Sequence, residues 1–384
     1  MNLRIPLLIA CLFLSFGCRK PSTPAPAAPP TAPGLPASQL NHPEGGSLPA
    51  AQVKYFRGSI GSSLDLQMKL LRTGDQLAGS YFYQKVGTRI DVRGNLDKDG
   101  SLTLEEFDPS GKQTGVFKGI WQVDAQDGLV TLAGNWSKPP NEKGSDKKTA
   151  FSLHEEPIAF TGNVELTSKQ IKESNKKLMY EVAAQYPQLT GGDNPNFEKF
   201  NQAARVLATK KVADFKKDMA ESTDEPKPEG SMSSDIDVSY TVALAQDDLI
   251  SVGFNVYSYY QGAAHPNSFS EVLNYDLKNG KQLKLSDLFK PGAKYLQTIS
   301  KYCIDDLKKQ MKADGEVDNQ WVQNGAGPVA KNYQNWTITK KGLGINFDAY
   351  QVAAYAAGPQ FVTVPYSVLK DLISPDGPIA QFVK

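Results

Sequence analysis

The chain has few residues equipped for chemistry. It contains three histidines, His42, His154 and His265, and three cysteines, Cys11, Cys18 and Cys303, among 384 residues. A catalytic zinc ion draws on about three protein ligands, usually including histidine or cysteine, and none of these six has a partner at helical or hairpin spacing. The Asp with a nearby His pair that a metal-dependent carbohydrate deacetylase of the usual kind needs is missing too. There is no Gly-x-Ser-x-Gly elbow for a serine nucleophile, and Cys303 falls on the apolar face of a predicted helix, where packing explains it. A pair of carboxylates suited to glycoside hydrolysis is neither marked out nor excluded by the pattern. The residues therefore predict no catalytic group, no metal centre and no cofactor.

One metal motif has the right spacing. In "NLDKDGSLTLEE", Asn95, Asp97, Asp99, Gly100, Leu102 and Glu106 occupy loop positions 1, 3, 5, 6, 8 and 12 of an EF-hand. An EF-hand needs a helix on each side, whereas "TRIDVRG" before the loop and Leu102 and Leu104 after it alternate as strands do. The acidic turn of a β-hairpin accounts for Asp97 to Gly100 without calcium.

Tyrosines are better placed. Tyr257, Tyr259 and Tyr260, then Tyr350, Tyr355 and Tyr366, gather around two Gly/Pro-rich loops, "YYQGAAHPN" and "YQVAAYAAGPQ". Tyrosine offers a flat apolar area and one hydroxyl, which suits recognition of protein or sugar. Alternate tyrosines on strands are equally explained by half-buried packing. The candidate binding residues are Tyr259, Tyr260, His265, Asn267, Tyr350 and Tyr355, with Gly262 permitting a tight turn and Pro266 fixing the backbone after it.

The elements that must carry these loops follow from periodicity. From Val53 to about Glu156, period-two runs such as "SSLDLQMKLL", "GSLTLEEF" and "GLVTLAGNW" are separated by Thr73-Gly74-Asp75, Asp97-Lys98-Asp99-Gly100, Pro109-Ser110-Gly111 and Gln126-Asp127-Gly128. That pattern predicts a small antiparallel barrel or meander over 52–156. After Pro157, "YEVAAQYPQL" reads as extended. An amphipathic helix follows with Phe197, Phe200, Ala204, Leu207, Val212, Phe215 and Met219 on one face and Asn196 as N-cap. Strands resume at "DIDVSYTVALAQ" and "LISVGFNVYSYY", and Lys278-Asn279-Gly280-Lys281 is a hairpin turn. A second helix places Leu296, Ile299, Cys303 and Leu307 inward, and three more strands and a short helix close the chain. The expected fold class is α+β, with an antiparallel sheet and two main helices over 157–384, split into 157–230 and 231–384.

The N-terminus, "MNLRIPLLIACLFLSFGC", has the grammar of an export signal, and a cysteine after a small residue at the end of the apolar run predicts lipidation at Cys18. Residues 1–18 are expected to be the lipoprotein-type signal and 19–51, rich in Pro and Ala, a disordered stalk. The expected location is the cell envelope, at the periplasm or outer surface, with the exported chain held to the membrane by its lipid. A formal net charge of +1 gives no field that would draw the chain to nucleic acid.

Four stretches together, "YEVAAQYPQLTGGDNPNFEKFN", "YYQGAAHPN", "NYDLKNGKQLKLSDLF" and "FDAYQVAAYAAGPQFVTVPYSVL", resemble the paired domains of unknown function in the outer part of the lysozyme-sensing anti-sigma factor. Similar pairs accompany the catalytic domain of some peptidoglycan deacetylases. The resemblance covers about residues 157–384. It implies a non-catalytic extracytoplasmic binding domain whose partner is an envelope protein such as lysozyme, or a cell-wall glycan. A deacetylase-associated role on peptidoglycan and a purely structural spacer are the alternatives.

Overall fold

The computed structural model describes residues 52–383 apart from 84–87, 126–127, 141, 222–232 and 315–317. The expected signal, the stalk, Cys11, Cys18 and His42 lie outside the described residues. Among the described residues no helix is long and apolar enough to cross a membrane.

Eight antiparallel strands close into a barrel: β1 (Gln52–Ile60), β2 (Leu64–Thr73), β3 (Gln76–Tyr83), β4 (Arg89–Leu96), β5 (Ser101–Phe107), β6 (Gln113–Val123), β7 (Val130–Ser137) and β8 (Thr149–Glu156), with β8 pairing back onto β1. Alternate residues point inward. Phe56, Leu66, Met68, Leu70, Phe117, Leu132 and Leu153 are almost fully buried there. Each large apolar side chain so buried contributes about 1.5–3 kcal/mol. Edge-to-face contacts link Phe117 with Phe151 at 5.1 Å and with Tyr81 at 5.7 Å. The curvature needs glycine at Gly58, Gly79 and Gly94, where a Cβ would run into the carbonyl oxygens of Ser152, Lys69 and Thr103 on the adjacent strands.

The EF-hand-like stretch is the β4–β5 hairpin. Asp97 to Gly100 form its turn, and Asp99 accepts from the Ser101 amide at 2.9 Å. Glu106 faces the interior. Its carboxylate accepts from Tyr81 Oη at 2.7 Å, Trp136 Nε1 at 2.8 Å and Thr114 Oγ1 at 2.6 Å. Three donors from β3, β6 and β7 replace the water that a buried carboxylate loses.

The second part is a mixed sheet in the order β10 (Glu165–Asn175), β11 (Tyr180–Thr190), β12 (Ser234–Gln246), β13 (Leu249–Tyr259), β14 (Asn267–Asp276) and β15 (Lys281–Gln282), with the short β9 (Ile158–Ala159) beside β12. β11 and β12 are parallel because helix α1 (Asn196–Glu221) crosses between them. The expected apolar face of α1 is the buried one, Leu207 being partly buried, and it covers Val182, Ile236, Val238, Val252, Phe254 and Val256. Asn196 is not the N-cap. The side chain of Asn194 accepts from the Asn196 amide at 2.9 Å, and Asn196 Nδ2 donates to the Leu277 carbonyl at 3.0 Å, tying the helix start to the end of β14. Asn201, also buried under the helix, exchanges two hydrogen bonds with the Leu189 backbone.

A three-stranded sheet, β16 (Trp336–Ile338), β17 (Gly342–Phe347) and β18 (Gln360–Pro365), packs one face on α2 (Tyr295–Asp314) through Ile299, Cys303, Leu307, Leu343, Ile345, Val362 and Val364. The short α3 (Asn319–Gly325), capped by Asp318, and α4 (Tyr366–Leu369) complete the fold. Among the described residues this is an α+β chain headed by an eight-stranded barrel.

Glu106→Ala is expected to destabilise the protein by about 3 kcal/mol, since it strands the Tyr81, Thr114 and Trp136 donors. Asp99→Ala is expected to leave the urea midpoint nearly unchanged, and calcium to shift neither. A calcium-dependent rise in midpoint, lost in Asp99→Ala, would show the hairpin to be a metal loop.

Candidate functional site

Side-chain alternation decides which of the candidate residues can meet a partner. On β12, Ile236, Val238, Tyr240 and Val242 point under α1, so Asp235, Asp237, Ser239 and Thr241 point to the opposite face. Register places Asp235 across from Tyr259, Asp237 across from Tyr257, and Glu181 of β11 beside Asp235. The open face therefore begins with two partly exposed tyrosines and three carboxylates. Burial, with Glu181 next to Asp235 and with Asp235 and Asp65 around Asp237, raises both aspartate carboxyls above the ordinary carboxylate range. Neither is in an ion pair among the described residues.

Tyr260 does not share that face. The strand ends at Tyr259, and Tyr260 turns to α1, where its ring tilts against Phe215 at 5.3 Å and its hydroxyl donates to Asp218 Oδ2 at 2.9 Å. Burial and that carboxylate push its hydroxyl up to about 12. Asn267 is exposed at the start of β14, opposite Ser258.

His265, Tyr350 and Tyr355 do come together. The His265 ring stacks on Tyr355 at 4.2 Å with 29° between planes, and Tyr350 tilts against Tyr355 at 5.4 Å. His265 Nδ1 and Tyr355 Oη both donate to the Pro266 carbonyl at 2.8 Å, which clamps the loop. Tyr350 holds a left-handed backbone, φ 70°, that bulky residues seldom adopt, and its carbonyl accepts from Trp321 Nε1 at 2.9 Å. Its side chain is 55% exposed. Tyr366 has left the cluster: it is buried, stacks on Phe382 and donates to the Thr339 carbonyl at 2.8 Å.

Two family models match the chain. Residues 173–268 match one described as Deacetylase PdaC, and residues 286–367 match a Protein of unknown function (DUF3298). The chain carries this pair of regions. The aromatic cluster spans the pair: His265 comes from the PdaC-matched region, and Tyr350 and Tyr355 from the DUF3298 region. Among curated proteins, the peptidoglycan-N-acetylmuramic acid deacetylase PdaC of Bacillus subtilis (strain 168) is 29% identical over 212 residues, 55% of this chain and 42% of that protein. The anti-sigma-V factor RsiV of the same strain is 28% identical over 211 residues, 54% of this chain and 70% of RsiV. The chain thus spans under half the length of PdaC, and its matched part is related to a cell-wall enzyme and to an anti-sigma factor. Crystal structures of a DUF3298 family member from Bacteroides fragilis NCTC 9343 (TM-score 0.44, 19% identity, 58% of this chain and 98% of that one) and of a DUF3298 family protein from Pseudomonas aeruginosa PAO1 (TM-score 0.40, 18% identity, 55% and 94%) also align.

No group of three His, Cys, Asp or Glu side chains is set to hold a metal among the described residues. Cys303 is fully buried in α2, and loss of water pushes its thiol up to about 12. Sequence reasoning missed Asp235, Asp237, Glu181 and Trp321. The alternating "DIDVSY" was the signal available for the two aspartates.

Ionising Asp235 and Asp237 opposes folding. With folded pKa values above the unfolded ones, that penalty is absent below about pH 4 and grows as pH rises through the folded values. Asp237→Asn is expected to raise the unfolding free energy from urea titration at pH 7 by less than about 1 kcal/mol, solvent screening limiting it, and to leave it unchanged at pH 3. Equal effects at both pH values would contradict the raised carboxyl.

Proposed function

We propose that this chain is a non-catalytic cell-envelope protein that binds a protein partner, lysozyme or a related cell-wall hydrolase, through the open face of β11 to β13 and the aromatic cluster beside it. The observation that carries the reading is the grouping of Tyr257 and Tyr259 with Asp235, Asp237 and Glu181 on one strand face. Carboxylates that neighbouring carboxylates already destabilise gain from a cationic partner, and tyrosines beside them offer apolar area at small entropic loss. Lysozyme supplies both a cationic surface and the link to the cell wall. The relatedness to PdaC and RsiV supports an envelope setting for this reading. Export and a lipid on Cys18 belong to the same proposal, and the partner would then be met outside the cytoplasm.

The non-catalytic part of the reading rests on chemistry. His265 spends Nδ1 on a backbone carbonyl and stacks its ring on Tyr355. Cys303 is fully buried, and burial pushes its thiol up, away from the thiolate a nucleophile needs.

Calorimetry of residues 52–384 with lysozyme is expected to give a Kd below about 10 μM that weakens steeply with salt. Asp235→Asn with Asp237→Asn is expected to weaken it by about tenfold or more. No heat and no co-elution at tens of micromolar would remove lysozyme as the partner, and acetate release from peptidoglycan by the purified chain would overturn the non-catalytic reading.

A further inference from the structure

The same sheet face continues past Asp237 into a groove of different character. Its floor is Ser239, Thr241, Gly253 and Asn255 of β12 and β13 with Ser270 of β14, and its wall is the outer face of β16 to β18, with Thr337, Asn346 and Phe361. The cavity volume is about 400 Å³, within the ~300–1,000 Å³ typical of small-ligand sites.

We propose that this groove binds an uncharged, N-acylated oligosaccharide, with one sugar ring lying on Phe361. Three observations point to that chemistry. First, the groove presents no charged side chain, although 22% of the chain is charged. Glu271, whose backbone borders it, turns its carboxylate to Lys211 of α1 on the opposite face. A charged ligand would find no counter-charge here, and a neutral one loses no ion hydration on entry.

Second, the polar groups are the hydroxyls and amides that match sugar hydroxyl and acetamido groups, and they are held in place. Asn346 Nδ2 donates to Ser270 Oγ at 2.6 Å and to Asp348 Oδ1 at 3.1 Å, and Asn335 Nδ2 donates to Asp348 Oδ2 at 3.0 Å. The amide oxygens of Asn335 and Asn346 then have no protein partner among the described residues, and they can accept from a ligand N–H or O–H. Asp348 also accepts from the Ser270 amide at 3.0 Å, so its carboxylate is occupied in fixing the wall.

Third, the one large apolar group at the rim, Phe361, is 52% exposed although its strand neighbour Val362 is buried. Its ring lies against Gly344, where a Cβ would come within 2.8 Å of Phe361 Cζ, so only glycine lets the ring lie there. The Phe361 carbonyl accepts from Gln310 Nε2 of α2 at 3.1 Å, which fixes the backbone beneath it. An aromatic face of this kind packs on the C–H side of a sugar ring.

This site lies further along the same face than the carboxylates and tyrosines of the proposed protein-binding region, and its test is independent of lysozyme. Chitotetraose, an uncharged chain of N-acetylglucosamine, is titrated into the full chain, with glucosamine tetramer as the cationic control. A Kd below about 1 mM is expected for the first and at least about tenfold weaker binding for the second. Phe361→Ala is expected to lower affinity about tenfold. Gly253→Val fills the floor from a position where a Cβ would make only ordinary contacts, with Thr241 Oγ1 at 3.5 Å and Thr337 Cγ2 at 3.8 Å. It should abolish binding while the thermal midpoint holds. No binding at about 5 mM, equal binding of both tetramers, or binding that survives both substitutions would each overturn the proposal.

Discussion

The arrangement depends on burying one face of β12 to β14 and leaving the other open. Ile236, Val238, Tyr240 and Val242 alternate under α1 with Val252, Phe254 and Val256 from the next strand. A slip of one residue would put this whole set in water and bury the aspartates, so the register is strongly specified. α1 is held in place at both levels: its apolar stripe fills the sheet, and Asn196 and Asn201 bond to the backbone at Leu277 and Leu189. Strand pairing therefore fixes the positions of Asp235, Asp237, Tyr257 and Tyr259, and no loop has to be ordered to present them.

The open face stays open because its neighbours attach at its margins. The β16 edge docks through a satisfied polar joint: Ser251 Oγ donates to Asn274 Oδ1 at 2.6 Å and accepts from the Ile338 amide at 2.8 Å, while Asn274 Nδ2 donates to the Trp336 carbonyl at 2.8 Å. At the other margin the barrel holds the sheet by Arg57, whose guanidinium lies 4.3 Å from the Tyr240 ring centroid and whose Nε donates to Glu156 at 2.9 Å, and by the Lys69–Glu165 pair at 2.6 Å. Polar joints of this kind fix orientation more than they add stability. They leave the central strip of the sheet uncovered.

Much of this was legible in the sequence because the barrel strands and both long helices carry strong periodicity, and the Asn279-Gly280 turn carries its own signal. Gly280 has φ 67° and ends the four-residue connection between the paired Asp276 and Lys281. β10 was not legible. "ELTSKQIKESN" is an edge strand with few buried residues, and its pairing with β11 supplies the order that its composition does not. α3 has seven residues and depends on the Asp318 cap and on packing of Val322. At the site, sequence grouped the tyrosines by nearness to two loops. That grouping holds for His265 and Tyr355, which the Pro266 carbonyl gathers, and for Tyr350, whose ring tilts against Tyr355. It fails for Tyr259 and Tyr260, because consecutive residues at a strand end leave in opposite directions. Glu181 was invisible for another reason: it reaches Asp235 only through a parallel pairing across a helical crossover, which local pattern does not encode.

One sheet face can carry two chemistries because of distance. Asp237 and Thr241 are four residues apart on β12, about 13 Å at a strand's rise. Charges are largely screened beyond about 8 Å at physiological ionic strength. The field of Asp235, Asp237 and Glu181 therefore acts on whatever approaches Tyr257 and Tyr259 but reaches the groove at Phe361 much reduced. The neutral groove does not need its own charges to cancel that field, which is consistent with the Ser, Thr and Asn side chains that supply its polar lining. Conversely, a long cationic side chain placed at Asn255, which pairs with Ser239 two residues from Asp237, would reach toward that carboxylate and close the gap between the two regions. The spacing of the carboxylates along the strand is thus what keeps the two regions chemically separate.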